Sequence, residues 1–189
     1  MTESTAEIRI RDISDAAELK IIEELAWKIF PRTYEDLIPT AQIPYMMRLM
    51  YDDAVLRREF ADGMHFALIL DGDTPVGYVS WHLTENGGER AMRLEKLYLD
   101  FAYHGRSIGN MALHHVIDAA KRAGASFVSL NVNKGNQRAQ RAYLRAGFYR
   151  WRSEKEEVGG GFFKDDYVMR YDLTPAGDPP AQPPAPAAS

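Results

Sequence analysis

Between Glu7 and Leu173 the hydrophobic pattern of the chain changes period repeatedly, from alternate residues to every third or fourth, with short polar connections between the changes. Period two buries one face of a strand, and a period near 3.6 buries one stripe of a helix. The chain is thereby restricted to an α/β or α+β sheet with helices packed on it. Ile8 and Ile10 alternate with Glu7, Arg9 and Arg11 as a first half-buried strand. Ser14 then caps a helix whose stripe is Ile21, Ile22, Leu25, Ala26 and Ile29, and Pro31 predicts its end. Thr40 caps a second helical segment with Ile43, Met46, Met47 and Met50, and Asp52 or Asp53 caps a third around Val55 to Phe60. Strands follow over His65–Leu70, Val76–Leu83 and Met92–Leu99, separated by turn residues at Asp71 to Pro75 and Glu85 to Glu89. Next come a helix from Gly109 to Arg122 closed by Gly124, a strand from Ser126 to Val132, and a helix from Asn136 to Ala146 closed by Gly147. Two last strands, Phe148–Val158 and Phe163–Leu173, flank three glycines.

A length of 189 residues suits one domain. A hydrophobic share of 46% builds its core without metal or disulfide staples. There is no cysteine, which excludes a disulfide framework, a thiolate nucleophile, a Cys-based zinc site and an iron–sulfur cluster. His65, His82, His104, His114 and His115 fall in no metal-ligating spacing, so no metal is expected. A net charge of -4 argues against a general nucleic-acid or anionic-membrane binder. Residues 1–173 read as the domain. Thr174 to Ser189 are Pro- and Ala-rich and read as a tail that does not repay its ordering entropy alone. The polar Met1 to Arg11 and the lack of a bilayer-length apolar run make a soluble cytoplasmic protein the expectation.

Two segments carry chemistry. His104-Gly105-Arg106-Ser107-Ile108-Gly109 lies between a strand and a helix, where a glycine-bearing turn exposes amides beside a positive helix terminus and suits phosphate. It is neither a P-loop nor a dinucleotide fingerprint, and alone it reads equally well as a turn that needs its glycines. The second segment runs from Asn136 to Phe148: Asn136 is an N-cap, and Ala139, Tyr143 and Ala146 share one helix face. Alone it is an amphipathic helix with a core tyrosine.

Taken together, and with Leu94-Glu95-Lys96-Leu97-Tyr98-Leu99 just upstream, the two segments resemble the GCN5-related N-acetyltransferase (GNAT) family over Ile8 to about Leu173. The resemblance implies that family's acyl-CoA N-acyltransferase fold, a central mixed sheet flanked by helices, with acetyl-CoA as co-substrate and no covalent enzyme intermediate. In the family pattern the loop has Arg or Gln, two residues, Gly, one residue, then Gly or Ala. Here His104 replaces the first member and Ser107 the first patterned glycine, while Gly109 agrees. A left-handed backbone at Ser107 costs about 1 kcal/mol. The resemblance places the coenzyme on Leu97, Tyr98 and Leu99, on His104, Gly105, Arg106, Ser107, Ile108, Gly109 and Asn110, and on Asn131, Asn136, Ala139 and Tyr143. Arg106 and Arg122 offer charge to its phosphates, or stand as solvated surface.

Acyl transfer to an amine needs a proton acceptor, a polarised carbonyl and an acid for the departing thiolate. The resemblance gives Glu95 as general base through water and Tyr143 as the acid. Glu95 reads as well as an ion-pair partner of Lys96 or Arg93, and strict alternation puts it on the face of Leu97 and Leu99 unless a bulge intervenes. The acceptor side, Thr33-Tyr34-Glu35-Asp36 to Gln42-Ile43-Pro44-Tyr45-Met46, resembles the PaiA-like polyamine acetyltransferases. Trp27, Tyr34, Glu35 and Tyr45 are its candidate substrate residues, although aromatics at helical spacing also build ordinary cores. The expected reaction is acetylation of a primary amine of a small molecule, with polyamines foremost. A protein N-terminal or lysine acetyltransferase and a non-catalytic acyl-CoA-binding module are the alternatives. The resemblance also suggests a homodimer.

Overall fold

Seven stretches pair as strands in a computed structural model of the chain, which describes residues 7–173: β1 (Ile8–Asp12), β2 (His65–Asp71), β3 (Thr74–Asn86), β4 (Glu89–Leu99), β5 (Phe127–Asn133), β6 (Tyr149–Gly159) and β7 (Phe162–Asp172). They form one sheet in the order β1-β2-β3-β4-β5-β7-β6, antiparallel except for the parallel pair β4–β5. A parallel neighbour needs a crossover, which α4 (Ile108–Arg122) supplies. The α/β class with a mixed sheet flanked by helices is therefore the observed architecture.

One face of the sheet is covered by α1 (Leu19–Tyr34), α2 (Gln42–Tyr51) and α3 (Asp53–Ala61), whose Leu19, Ile22, Ile29 and Leu56 pack with Phe66, Leu68 and Tyr78. The other face takes α4 and α5 (Gln137–Arg145), with Leu113, Val116 and Ile117 against Val79, Trp81, Leu94 and Val128. Covering on both faces is why β2 reads as an unbroken apolar run from Phe66 to Leu70 rather than as an alternation. Lys96, 3% exposed, is the cost of crowding on the first face. Its Nζ reaches Glu59 Oε2 of α3 at 2.8 Å and lies over the rings of Tyr51 and Phe66.

Several local expectations are corrected. The first helix is not capped by Ser14: Asp15 accepts the Ala17 amide and starts a 3-10 turn, Ala16–Glu18, that feeds α1. Nor does α1 stop at Pro31. It continues to Tyr34, and Thr33 Oγ1 donates to the Ile29 carbonyl at 2.8 Å. Proline removes only the donor that would reach the carbonyl of residue 27, which stands on the exposed side of the helix with Trp27. Thr40 and Asp52 make no side-chain cap, because α2 begins after Ala41 and Asp52 lends only its carbonyl to α3. The expected tail, Thr174 to Ser189, lies outside the described residues.

The feature that makes the site is a parting of the sheet. β4 and β5 pair only from Ala91–Phe127 to Leu94–Leu130. Beyond that, β4 stays with β3 up to Leu99, and β5 stays with β7 up to Asn133. At the branch point β4 bulges: Trp81 faces Leu94 and Ser80 faces Lys96, leaving Glu95 as the extra residue. A bulge sharpens local twist and ends pairing, so the β4 edge from Leu97 to Leu99 is left without a strand on its β5 side.

Candidate active site

Where the strands part, a cleft of about 890 Å³ opens. Its walls are Leu94, Glu95 and Leu97 to Leu99 of β4, Leu130 to Val132 of β5, the loop into α4, and the Asn136–Ala139–Tyr143 face of α5. Of the fourteen residues expected on the coenzyme, thirteen line this one cleft: Leu97, Tyr98, Leu99, His104, Gly105, Ser107, Ile108, Gly109, Asn110, Asn131, Asn136, Ala139 and Tyr143. Arg106 does not. Its guanidinium lies 5.2 Å over the Tyr103 ring, outside the lining. Arg122, at the other end of a 15-residue helix, is roughly 20 Å from the loop at 1.5 Å rise per residue.

The loop takes its shape from Asp100, which accepts the Ala102 amide and is paired with Lys28, starting a 3-10 turn over Phe101–Tyr103. His104 then folds back. Its Nε2 donates to the Leu99 carbonyl at 2.8 Å, the ring packs on Phe101, and burial pushes its pKa down. It is therefore a neutral brace and not a substitute for a phosphate-binding arginine. Gly105 has φ +78° and Ser107 φ +59°; Ser107 is the one left-handed residue other than glycine among the described residues. The left-handed corner is thus kept in spite of the substitution. Ser107 precedes α4 without capping it, so the helix-opening amides of Ile108, Gly109 and Asn110 face the cleft side with no side-chain acceptor. A Cβ on Gly109 would meet nothing within 4 Å, which leaves room for a ligand to approach that backbone. Arg32 and Arg138 also line the cleft and supply the cationic character that Arg106 and Arg122 do not. Arg138 was legible as the second residue of α5, on the turn where a cation opposes the helix dipole.

On α5, Asn136 Oδ1 accepts the Ala139 amide at 3.1 Å, the N-cap expected of it. Two turns on, Tyr143 lies against Phe148, and no hydrogen bond to its hydroxyl is found among the described residues. Burial pushes that phenol well above the usual tyrosine range, with Tyr34 adding to the shift, so it is protonated across the physiological range. A packing tyrosine would have its hydroxyl tied to backbone; this one is free to donate.

Opposite it, the bulge turns Glu95 away from Leu97 and toward His82 and Arg93, correcting the facing that strict alternation predicts. Lys96 is not its partner, being engaged by Glu59. Glu95 Oε1 lies 3.0 Å from His82 Nε2 and 3.4 Å from Arg93 Nε. Burial raises the carboxyl, but the His82 hydrogen bond and the charges of Arg93, His82 and Lys96 outweigh it and hold its pKa at about 2. The same hydrogen bond raises His82 above its ordinary value. His82 was missed in sequence; the signal is its place opposite Arg93 across the β3–β4 hairpin, visible once the bulge is counted.

Of the acceptor-side candidates, Tyr34 and Glu35 line the cleft, and the Tyr34 hydroxyl is 3.1 Å from that of Tyr98. Trp27 is 50% exposed and lines no part of it. Tyr45 is spent on structure: its hydroxyl donates to the Val158 carbonyl at 2.6 Å and its ring packs on Phe162, pinning the β6–β7 hairpin to α2. Gln42 Nε2 adds a second tie to the Phe163 carbonyl at 2.7 Å.

Residues 20–148 match the model of the acetyltransferase (GNAT) family. An uncharacterized N-acetyltransferase of Mycobacterium tuberculosis is 31% identical over 153 residues, 80% of this chain and 97% of that protein. Among solved structures, the PaiA N-acetyltransferase of Thermoplasma acidophilum in complex with coenzyme A superposes with a TM-score of 0.71 at 22% identity, covering 88% of this chain and 99% of that one. Arabidopsis thaliana Naa50 with the bisubstrate analogue CoA-Ac-MVNAL gives 0.62 at 19%, covering 88% and 99%. The chain belongs to the acetyltransferase (GNAT) family and is, by that membership, an acetyl-CoA-dependent N-acetyltransferase.

Proposed function

We propose that the protein acts in the cytoplasm and transfers the acetyl group of acetyl-CoA directly to a primary amine of a small molecule, with polyamines the preferred class. The observation that carries this reading is that Glu95 and Tyr143 line the same cleft where β4 and β5 part. Acetyl-CoA supplies an acyl group activated as a thioester. The unpaired Leu97–Leu99 edge offers backbone hydrogen bonds to the pantetheine arm and one N–H to the acetyl oxygen, an oxyanion contact worth about 3 kcal/mol in the transition state. The amides of Gly105 to Asn110, with Arg32 and Arg138, suit the pyrophosphate. As the amine nitrogen bonds to the acetyl carbon and the C–S bond breaks, Glu95 takes the amine proton through water and Tyr143 gives its own to the thiolate sulfur.

Enclosure favours a small acceptor over a protein terminus or lysine side chain: α2 and the β6–β7 hairpin are tied together by Tyr45 and Gln42 over the acceptor side instead of leaving an open groove. The left-handed corner kept at Ser107 weighs against a loop too degenerate to catalyse. Thiol release from acetyl-CoA across spermidine, spermine, aminoglycosides, amino acids and peptides, with wild type and Glu95→Gln, tests the proposal. Polyamines are expected to lead and Glu95→Gln to lose about a hundredfold. Fastest release with peptides, or equal rates for the two proteins, would contradict it.

A further inference from the structure

Tyr34, Glu95, Tyr98 and Asn131 line both the coenzyme cleft and a smaller cavity of about 110 Å³, so the two spaces meet beside Glu95. Asp166, Arg93 and Lys164 also line the smaller space. Burial raises the Asp166 carboxyl and the charges of Lys164 and Arg93 act against that, so the junction presents no uncompensated anion. It does hold polar atoms that are not used. Asn131 Nδ2 donates to Asp166 Oδ2 at 3.4 Å, while Oδ1 at the other side of the amide is buried with no hydrogen-bond partner among the described residues. His82 and Arg93 both contact Oε1 of Glu95, and Oε2 makes no hydrogen bond among the described residues.

A donor completes the set. Tyr78 and Tyr51 are 0% and 1% exposed, so each hydroxyl hydrogen needs a protein acceptor. Tyr78 donates to Tyr51 at 2.9 Å, and Tyr98 is the other hydroxyl that bonds to Tyr51. Tyr51 therefore donates to Tyr98, and Tyr98 in turn to Tyr34 at 3.1 Å. The chain of hydroxyls runs outward from the core and ends on a Tyr34 hydrogen with no acceptor left among the described residues; each donation polarises the next. One donor hydrogen and two acceptor oxygens around a charge-balanced space suit a neutral molecule that both donates and accepts. Water fits: it accepts from Tyr34, donates to Asn131 Oδ1 and Glu95 Oε2, and keeps one lone pair for an N–H of the acceptor amine. Such a set of partners is what holds a buried water.

We infer that Tyr34 and Asn131 are positioning residues that fix a relay water between the acceptor amine and Glu95. As the amine nitrogen bonds to the acetyl carbon, its proton passes to the water oxygen while a hydrogen of the water passes to Glu95 Oε2, and the water is regenerated. The inference rests on the acetyl-transfer reading above and adds to it the residues that hold its water. It moves Asn131 from the coenzyme, and Tyr34 from recognition of the acceptor, to the proton path.

The test has a crystallographic and a kinetic arm. A high-resolution crystal structure of the wild type with coenzyme A is expected to show one water within about 3.2 Å of Tyr34 Oη, Asn131 Oδ1 and Glu95 Oε2. Tyr34→Phe keeps the ring and deletes the donor. Its kcat is expected to fall about tenfold, the worth of one lost hydrogen bond, with acetyl-CoA affinity within a few-fold and the midpoint of the pH dependence of kcat/KM unmoved. A junction without that water, or a water touching only one of the three atoms, overturns the inference whether or not the variant folds. So does a Tyr34→Phe enzyme with wild-type kcat, and so does a displaced midpoint, which would make Tyr34 a modifier of the Glu95–His82 pair. Failure of every amine to release thiol from the wild type overturns the transfer reading itself, an outcome distinct from a missing water.

Discussion

A carboxylate whose pKa is held at about 2 is a feeble proton acceptor by itself, yet Glu95 is not by itself. Its oxygen is bonded to His82, and the same contact that depresses the carboxyl raises the imidazole. In the proposed reaction a proton arriving at Glu95 is handed to His82, and the pair accepts protons with the basicity of the histidine. Arg93 is the charged neighbour that limits this, lowering both groups. On that proposed route the neutral form of His82 is the active one, so kcat/KM is expected to rise with pH through the raised histidine value. In His82→Gln that limb should vanish from the profile, which rate measurements from pH 5 to 9 will show; a limb unmoved by the substitution would remove His82 from proton transfer. The stability linkage has the opposite sense at the two ends. Glu95 contributes above its ordinary 4.5, and this is lost as pH falls toward about 2. His82 contributes below 6.5, and this is lost as pH rises through its raised value. On the other wall, Tyr143→Phe deletes only the donor oxygen. Turnover is expected to drop about a hundredfold while acetyl-CoA affinity, read by titration calorimetry, stays within a few-fold; unchanged turnover would remove Tyr143 from the mechanism.

Among the elements, the loop into α4 separates what folding needs from what binding needs. Gly105 and Ser107 are left-handed, whereas Gly109 is an ordinary helical residue with open space where its Cβ would be. Gly109→Ala is therefore expected to leave the melting temperature unchanged or raise stability by up to about 1 kcal/mol, since alanine is the better helix former. Acetyl-CoA affinity should nonetheless fall, because the new methyl occupies the cleft lining; equal affinity in the two proteins would show that no ligand approaches that backbone. Strands and helices were largely legible because each has a hydrophobic period, and the glycine corner and the Asn136 cap were legible because their chemistry is local. What stayed hidden depends on contacts between distant segments. Pro31 interrupts the pattern of α1 without ending the helix, since the carbonyl it deprives is on the exposed side. Trp27 and Tyr45 share the aromatic spacing of Tyr34, but only the neighbouring elements decide that one faces outward and another ties down a hairpin. Asp166 meets Asn131 only because β7 pairs beside β5, and no local pattern announces that.

At the scale of the whole molecule, function follows from one topological event. A sheet with a single parallel pair is held together for four residue pairs and then divides at the Glu95 bulge, with separate partners, β3 and β7, stabilising each branch. The division exposes a strand edge inside a cleft, sets the α4 amino terminus at one end of it, and lays α5 along its wall. Clusters of buried residues on both faces back the two branches, so the cleft is built into the fold. The central claim is that this division holds acetyl-CoA along its length, and a crystal structure of the complex with coenzyme A tests it most directly. The account predicts the pyrophosphate on the amides between Gly105 and Asn110, the pantetheine arm along Leu97–Leu99, and the sulfur within reach of the Tyr143 hydroxyl. Coenzyme bound elsewhere, or with its sulfur pointing away from Tyr143, would contradict it.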